Sequence, residues 1–580
     1  MSTYLLVSLA AGADPAATQF SVLRAKALAA GLSVSDLSSR TWLGVAGPTR
    51  PGMLGVGAWT LVGDVFNRRD APVRRVPDDD PLVYEKKLIA RFWGRFVGLR
   101  LDGDGVLAAL LRDPSGALDC VHWSNGPLRF AASDVPEWLI RILKPDWRID
   151  ADRVEAALHD PYASEAALLL AGPEALAPGS LHSFADGMTR PVWRPDWIAR
   201  HAPRVTHEDA AQSLRDAVDE AVAGFSRSGG VLAAEISGGL DSSIIAATLR
   251  RNPNAEVRLW LNAWGPDASA DERPWVDALA AHLGIAATSN PRATGKVTRD
   301  LLESVPQGFR PGLAGLDGLH DADWASRLKA AGVDRILTGK GGDGLFIQPA
   351  DLGVYVDLWR QRGWKALASP ALVDLARWNE RSVWSLIANA RRGDWRPEPT
   401  SAPTTFLNPR QFAASPHPWL GHAGDLGPAK RLQILGLVQG VGFHGPSLQT
   451  QVAEVIHPLL AQPVVEACLA LPTPQLTLGR RDRGLARHAF LDRLPPVITT
   501  RRSKGEMTAF YGRMIADGLD VMRPWLLDGR LASMGLIDRS KAESLLTRES
   551  LAWRGGYVDI MVAATIEGWV RAWERRLSVR

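Results

Sequence analysis

One stretch constrains the fold of this chain more than any other: residues 231–250 read VLAAEISGGLDSSIIAATLR. The apolar run at 231–236 is bounded by glycines and is typical of a buried strand. A turn at Ser237-Gly238-Gly239 follows, and helical composition begins at Ile244. Glycine lets backbone N–H groups approach a phosphate closely, and a helix N-terminus favours negative charge. The stretch therefore predicts an anion site at a strand–turn–helix junction.

Asp241 lies in this turn among the hydroxyl groups of Ser237, Ser242 and Ser243. A bare carboxylate repels a phosphate, whereas Mg²⁺ binds carboxylate and phosphate oxygens together. The spacing is not the Walker pattern, which needs a Lys-Ser/Thr after its last glycine. The string SGGLDS resembles the pyrophosphate loop of the ATP pyrophosphatases, which split ATP into AMP and pyrophosphate, and this implies ATP and Mg²⁺. The alternative is a plain strand-to-helix turn, which needs neither the paired glycines nor the aspartate.

A second glycine-rich turn, GKGGD at 339–343, follows a candidate strand at 335–338. Strand and helix patterns alternate in this half of the chain and imply a parallel sheet, in which ligands lie beyond the carboxyl ends of the strands. We therefore expect Asp241 and Asp343 to converge on one pyrophosphate and to be the metal ligands. Taken alone, the second turn is also compatible with a glycine hairpin. The candidate nucleotide-binding residues are Ser237, Gly238, Gly239, Leu240, Asp241, Ser242, Ser243, Gly339, Lys340, Gly341 and Gly342.

The bulk properties favour a multidomain protein of the cytoplasm. A length of 580 residues predicts two or more domains, and we place the boundary between 1–203 and 204–580. The net charge of +4 does not favour nucleic-acid binding, which needs a clustered basic face. Two cysteines, Cys120 and Cys468, fit a reducing cytosol. We find no signal-peptide pattern and no apolar run of membrane-spanning length, so we expect no membrane insertion.

The N-terminal half shows short strand patterns broken by Gly, Pro and Asp, with a helical stretch at 81–93. These features predict an α+β sandwich. The predicted strands lie at 3–8, 59–63, 95–101 and 106–112.

Several strings in this half resemble the glutaminase domain of the asparagine synthetase family. They are GDVFN at 63–67, FWGRF at 92–96, RDPSG at 112–116, FAAS at 130–133 and APG at 177–179. Active glutaminases of that family have a cysteine directly after the initiator methionine, and its thiolate attacks the glutamine amide. This chain has Ser2 there. We therefore predict a glutaminase-like domain without ammonia-generating activity.

The strings of the C-terminal half resemble most closely the lasso peptide cyclases, asparagine synthetase homologues that make macrolactams. They are HPWL at 417–420, HPLLAQP at 457–463 and TRRSKG at 500–505, behind the GGD of the second turn. The variable residue of that turn is typically Glu in asparagine synthetases and Tyr in β-lactam synthetases, whereas it is Lys340 here. The resemblance matches Lys504 to a catalytic lysine that places an ammonium over the adenylate. The alternative is a solvated basic loop.

The resemblance implies a fold of two parts: an inactive glutaminase-like sandwich, and an ATP-pyrophosphatase-type parallel sheet flanked by helices. It implies an ATP- and Mg²⁺-dependent cyclase that adenylates an Asp or Glu side chain of a core peptide and closes a ring with the peptide's N-terminal amine. The implied partners are the precursor peptide, a leader peptidase and a leader-recognition protein. Two alternatives are an asparagine synthetase-like or β-lactam synthetase-like ligase acting on a small molecule, and a non-catalytic nucleotide-binding scaffold.

Overall fold

The computed structural model describes residues 3–12, 16–68, 80–201, 205–267, 270–304, 308–312, 317–348, 352–392, 406–409, 416–478, 481–502, 505, 507–553 and 557–578. Ser2 and Lys504 lie outside these ranges. Antiparallel sheets form the N-terminal half, and a parallel sheet with many helices forms the C-terminal half.

The N-terminal half contains two antiparallel six-stranded sheets, with strand orders β12-β8-β9-β1-β3-β2 and β14-β13-β7-β6-β5-β4. The strands are β1 (Thr3–Leu9), β2 (Ser33–Ser38), β3 (Thr41–Ala46), β4 (Gly52–Val56), β5 (Trp59–Asn67), β6 (Phe92–Leu101), β7 (Leu107–Arg112), β8 (Val121–Asn125), β9 (Leu128–Ala132), β10 (Arg148–Ile149), β11 (Leu170–Ala171), β12 (Glu174–Ala175), β13 (Ser180–Ser183) and β14 (Met188–Pro191). The helices are α1 (Ala17–Ala29), α2 (Val83–Arg91), α3 (Glu137–Leu143), α4 (Ala151–His159), α5 (Ala163–Ala166) and α6 (Pro195–Arg200).

The two sheets pack face to face because their strands alternate apolar side chains between two faces. Leu6 of β1 packs with Val62 of β5 and Val97 of β6 between the sheets. Its neighbours Leu5 and Val7 belong instead to the core that contains α1 and α3. The predicted α+β sandwich is therefore confirmed, with helices outside the sheets.

The C-terminal half is built on five parallel strands: β15 (Leu232–Glu235), β16 (Val257–Trp264), β17 (Ala287–Pro291), β18 (Arg335–Leu337) and β19 (Glu454–Ile456). Helices between and before them are α7 (His207–Arg227), α8 (Leu240–Arg251), α9 (Arg273–Leu283), α10 (Arg299–Ser304), α11 (Gly318–Ala330), α12 (Gly342–Leu345), α13 (Leu352–Arg362), α14 (Pro370–Trp378), α15 (Val383–Arg392), α16 (Pro418–Gly421), α17 (Pro428–Gly442) and α18 (Leu448–Val452). After β19 come α19 (Gln462–Leu469), α20 (Thr473–Leu476), α21 (Gly484–Ala489), α22 (Pro496–Thr499), α23 (Thr508–Asp517), α24 (Leu519–Leu527), α25 (Arg530–Ser533), α26 (Arg539–Leu545), α27 (Arg548–Trp553) and α28 (Tyr557–Ser578), and 3₁₀ turns lie at Gly363–Ala368 and Pro458–Leu460.

The sheet order is β17-β16-β15-β18-β19, so β15 and β18 are central neighbours. Ala233 and Ile336 pack against Trp324 and Leu328 of α11 on one face. Ala234 belongs to the large core with α7 and α8 on the other. Helices thus cover both faces, which confirms the predicted parallel sheet flanked by helices.

The boundary predicted near 203 stays a prediction, because apolar cores cross it. Phe225 of α7 packs edge-on against Trp93 of β6, with ring centroids 5.6 Å apart. At the other end of the chain, the indole N–H groups of Trp569 and Trp573 both donate to the Gly308 carbonyl, at 3.1 and 3.0 Å. These tryptophans serve packing rather than a ligand groove.

Candidate active site

The first glycine turn joins the carboxyl end of β15 to the N-terminus of α8. Hydroxyl groups close the turn: the Ser242 hydroxyl accepts the Ser237 N–H at 3.1 Å, and the Ser243 hydroxyl donates to the Gly239 carbonyl at 2.7 Å. Gly238 has a φ of 69°, the left-handed region that favours glycine. The turn therefore ends at the start of a 12-residue helix, where a phosphate is favoured.

The second glycine turn lies beside the first because β15 and β18 are parallel neighbours. A Cβ atom on Gly339 would lie 2.3 Å from the Ser242 nitrogen, and one on Gly342 would lie 2.4 Å from the Asp241 Cγ. Gly341 has a φ of 93° and leads into α12. The two turns thus contact each other so closely that only glycine fits at 339 and 342.

Arg483 joins the two predicted metal carboxylates. Its Nη1 donates to Asp241 Oδ2 at 3.0 Å and to Asp343 Oδ1 at 2.6 Å, while its Nη2 donates to Asp482 Oδ2 at 2.9 Å. Burial alone lowers the pKa of Arg483, but the three carboxylates outweigh burial and raise that pKa above its usual value. The structure therefore brings Asp241 and Asp343 together around a permanent cation.

The carboxylate pair also suits Mg²⁺. Asp241 Oδ2 and Asp343 Oδ1 both lie within 3.0 Å of Arg483 Nη1, so the two oxygens are close enough to each other to bind one metal ion. Across the described ranges, no group of three or more His, Cys, Asp and Glu side chains is arranged to hold a metal ion. Mg²⁺ is usually bound by one or two carboxylates and completed by phosphate oxygens, so a site with two carboxylates fits it.

A cleft of about 170 Å³ lies over the two turns. Its lining residues are Glu235, Ser237, Gly239, Leu240, Asp241, Ser242, Glu272, Gly339, Lys340, Asp343, Arg483, Arg487, Ile498 and Arg501. The lining combines the N-terminus of α8 with one lysine, three arginines and four carboxylates. Cationic groups and carboxylates in one lining can bind phosphate oxygens and a divalent metal ion together.

The family model described as asparagine synthase matches residues 213–571. The chain belongs to the asparagine synthase family. Members of this family are ATP-dependent ligases. A search of the curated proteins found no match to the chain. No helix in the described part of this asparagine synthase family protein is long and apolar enough to cross a membrane.

Most of the predicted nucleotide residues of this asparagine synthase family protein line the cleft, and the others shape the turns. Ser243 is fully buried and holds the turn from inside. Gly238, Gly341 and Gly342 do not line the cleft. The first two have positive φ angles, and Gly342 allows the two turns to approach each other closely. Lys504 lies outside the described residues, so its predicted role has no structural account.

A chamber of about 620 Å³ adjoins the cleft, and Glu235 and Lys340 line both. One part of the chamber is charged: Arg292 forms an ion pair with Asp317 and donates to the Tyr511 hydroxyl at 3.2 Å. Another part is apolar. It is lined by Phe443, Val455, Met507, Val558, Met561, Val562 and Ile566.

A third cavity, of about 390 Å³, continues from the chamber toward the N-terminal half. The two share a wall formed by Pro311, Gly442, Gly445, Pro446, Ser447 and Thr450. Thr3, Arg112, Asp119 and Asp134 line its far side. Burial raises the pKa of Asp134 to about 6. Three cavities therefore follow one another from the sandwich to the cleft over the two turns.

Several residues of the cleft had no predicted role in this family member. Arg483 is one of four arginines within residues 480–487, and nothing in the local sequence distinguishes it from the others. Arg501 was grouped with a basic loop, yet its side chain is 7% exposed and its Nη2 lies 2.7 Å from Glu272 Oε1. Its guanidinium also stacks on Trp275 at 3.9 Å. For Glu235, the sequence predicts only a place in the strand at 231–236.

Proposed function

We propose that the chain is an ATP-dependent macrolactam ligase of the lasso peptide cyclase kind. It activates an Asp or Glu side-chain carboxylate of a peptide as an acyl adenylate. The N-terminal amine of the same peptide then closes an isopeptide ring. AMP and pyrophosphate are the other products. This is a specific form of the ATP-dependent amide ligation that characterises the family.

The chamber is the observation that carries this proposal. Its volume of about 620 Å³ lies within the range of pockets that enclose a whole ligand, and it far exceeds the needs of ammonia. It meets the nucleotide cleft at Glu235 and Lys340. One large substrate can therefore present its carboxylate in the cleft and its amine from the chamber. The resemblance of the downstream strings to lasso peptide cyclases supports a peptide as that substrate.

In the activation step, the ATP phosphates lie at the two glycine turns and a carboxylate oxygen attacks the α-phosphorus. The P–O bond to pyrophosphate breaks, and its electron pair leaves on pyrophosphate. Asp241 and Asp343 would hold Mg²⁺, which neutralises phosphate charge when bound. Arg483 and Arg501 line the cleft as fixed cations that stabilise charge developing on the α-phosphate. We propose that Lys504 adds an ammonium at the adenylate.

The N-terminal domain has no catalytic part in this scheme. The attacking amine belongs to the substrate, so the enzyme needs no ammonia source. Ser2 replaces the thiol of active glutaminases, and a hydroxyl is a far weaker nucleophile without an activating base. Glutamine hydrolysis by the purified protein tests this: we expect no glutamate above a blank, and sustained turnover would contradict the assignment.

The proposed partners follow from the proposed substrate. A leader peptidase and a leader-recognition protein would deliver the cut precursor peptide in the cytoplasm, without nucleic acid and without membrane insertion of the enzyme. Co-purification with the proteins encoded by neighbouring genes tests this. Failure of all of them to associate, with the peptide present, would remove the partners from the proposal.

The activity itself is tested with a library of synthetic linear peptides, each with a free N-terminal amine and one Asp or Glu at successive positions. With ATP and Mg²⁺, we expect at least one peptide to lose one water as AMP forms, measured by mass spectrometry. The matched control carries an acetylated N-terminus and should form no ring. AMP formation only with free amino acids and ammonium would favour the small-molecule ligase. Nucleotide binding with no AMP from any substrate would favour the scaffold.

A further inference from the structure

Glu235 is the last residue of β15 and lies where the cleft and the chamber meet. It is half-buried, and the described residues give its carboxylate no hydrogen bond and no ion pair. An ionised carboxylate can accept several hydrogen bonds, so Glu235 can still accept hydrogen bonds from a ligand in the cavity. Its side chain is therefore at the junction of the chamber and the cleft.

The other acidic side chains of the chamber are already engaged. Among the described residues lining it, these are Asp317 and Asp321. Asp317 forms an ion pair with Arg292. Asp321 accepts the backbone N–H of Gln449 at 3.2 Å and its side-chain amide at 3.0 Å. Glu235 is therefore the chamber carboxylate with acceptor capacity left for a ligand.

The charges around Glu235 indicate which side chain binds anions and which binds a cation. Lys340 lies on the same shared wall and suits anions, which are the substrate carboxylate and the adenylate phosphate. Glu235 suits a cation. Burial lowers the pKa of Arg292, but Asp317, Tyr511 and Glu235 outweigh burial and raise it, so Arg292 remains a charged neighbour of this carboxylate.

We propose that Glu235 binds the ammonium form of the attacking amine and takes its proton. The inference rests on the proposed ligase function and assigns a residue to its second step, the attack of the amine on the acyl adenylate. An α-amino group has a pKa of about 8, so most of it is protonated at neutral pH and cannot attack. A carboxylate at the mouth of the chamber both binds the ammonium and serves as its general base.

The ammonium gives one proton to the Glu235 carboxylate, and the neutral nitrogen uses its lone pair to form a C–N bond to the acyl carbon. The bond between the acyl carbon and the AMP oxygen breaks, and its electron pair stays on that oxygen. The second proton of the nitrogen passes to the departing AMP phosphate. The products are the amide and AMP.

The Glu235→Gln variant separates the two half-reactions in the synthetic peptide library. In one assay, hydroxylamine is added to capture the acyl adenylate as a hydroxamate. In the other, hydroxylamine is left out and ring closure is measured as the loss of one water from the peptide. We expect hydroxamate within about twofold of wild type and ring closure slower by about a hundredfold or more. A second variant, Glu235→Ala, should regain ring closure when formate is added, because formate restores a carboxylate base.

Each outcome is decisive. Ring closure by Glu235→Gln within a few-fold of wild type would overturn the assignment and leave the ligase intact. Loss of hydroxamate together with ring closure, in a variant that unfolds at the wild-type temperature, would place Glu235 in activation and also overturn it. If wild type forms neither hydroxamate nor ring with any peptide, the ligase proposal itself fails.

Discussion

Asp241 is 8% exposed and lies between Arg483 and the second glycine turn. Replacing it with Asn keeps the shape but removes one of the two carboxylates that would hold Mg²⁺. We expect AMP formation to fall by about a hundredfold or more, since charge stabilisation at the phosphates is lost. The measurement is ATP-dependent AMP release with the peptide library.

The matched control for this prediction is Asp104→Asn, which changes an exposed aspartate in the turn between β6 and β7. It should leave AMP release unchanged. If Asp241→Asn keeps wild-type turnover, Asp241 is not a metal ligand.

The two glycine strings and their aspartates could be predicted because backbone conformation demands particular residues there. Arg483 could not be, because its role depends on where the chain returns after β19 rather than on local pattern. Its backbone has a φ of 53°, an uncommon value for a residue with a side chain, at the start of α21. That conformation became visible only in the fold.

Arg483 neutralises Asp241 and Asp343 before any metal binds. In Arg483→Met, the two carboxylates would lose the guanidinium that they share, so we expect a lower unfolding temperature in the absence of Mg²⁺. Hydrogen bonds to charged groups contribute about 1.5–3 kcal/mol each, which sets the scale of the loss. We also expect Mg²⁺ to raise the unfolding temperature of the variant more than that of wild type. Equal shifts in both proteins would show that metal and guanidinium do not compete.

At the level of elements, the contact between the two turns depends on the absence of a side chain at Gly342. In Gly342→Ala, the new Cβ would lie 2.4 Å from Asp241 Cγ and 2.8 Å from each of its oxygens. The carboxylate must then move away from Arg483. We expect AMP release to fall by about tenfold or more, because misplacement of a catalytic group by 1 Å can cost a hundredfold.

The control for the turn contact is Gly424→Ala. A Cβ there meets nothing within 4 Å, and its backbone does not require glycine. Circular dichroism should show both variants folded. Wild-type AMP release by Gly342→Ala would mean that the turns can separate without loss.

Element boundaries followed from sequence where the periodicity was strong. The predicted strands at 3–8 and 106–112 are β1 and β7, and the predicted helical stretch at 81–93 contains α2. The sequence predicts helical composition from Ile244, but α8 begins at Leu240, directly after the extended residue Gly239.

Over the whole molecule, a buried ion-pair network joins the sandwich to the parallel sheet. Asp64 of β5 accepts from Arg95 of β6 at 2.6 Å and from Arg335 of β18 at 3.2 Å. Arg95 also donates to Glu454 of β19 at 3.2 Å. The two halves therefore meet through charged side chains that are at most 12% exposed.

Removing the central carboxylate of this network should loosen the junction of the two halves. In Asp64→Asn, two buried guanidinium groups lose their shared partner, and breaking a buried pair in this way costs about 3–5 kcal/mol. We expect a lower unfolding temperature at neutral pH. Asp36→Asn is the matched control, because the Asp36 pair with Arg24 is largely exposed and contributes little.

The same network predicts how the stability of the fold depends on pH. Burial alone raises the pKa of Asp64, but Arg95 and Arg335 outweigh burial and hold that pKa below its usual 3.8. A carboxyl with a lowered folded-state pKa stabilises the fold fully above its unfolded value, and that contribution is lost as pH falls through the folded value. The gap in unfolding temperature between wild type and Asp64→Asn should thus be constant near neutral pH and shrink below about pH 4. A gap that persists unchanged in acid would show that Asp64 contributes through packing rather than charge.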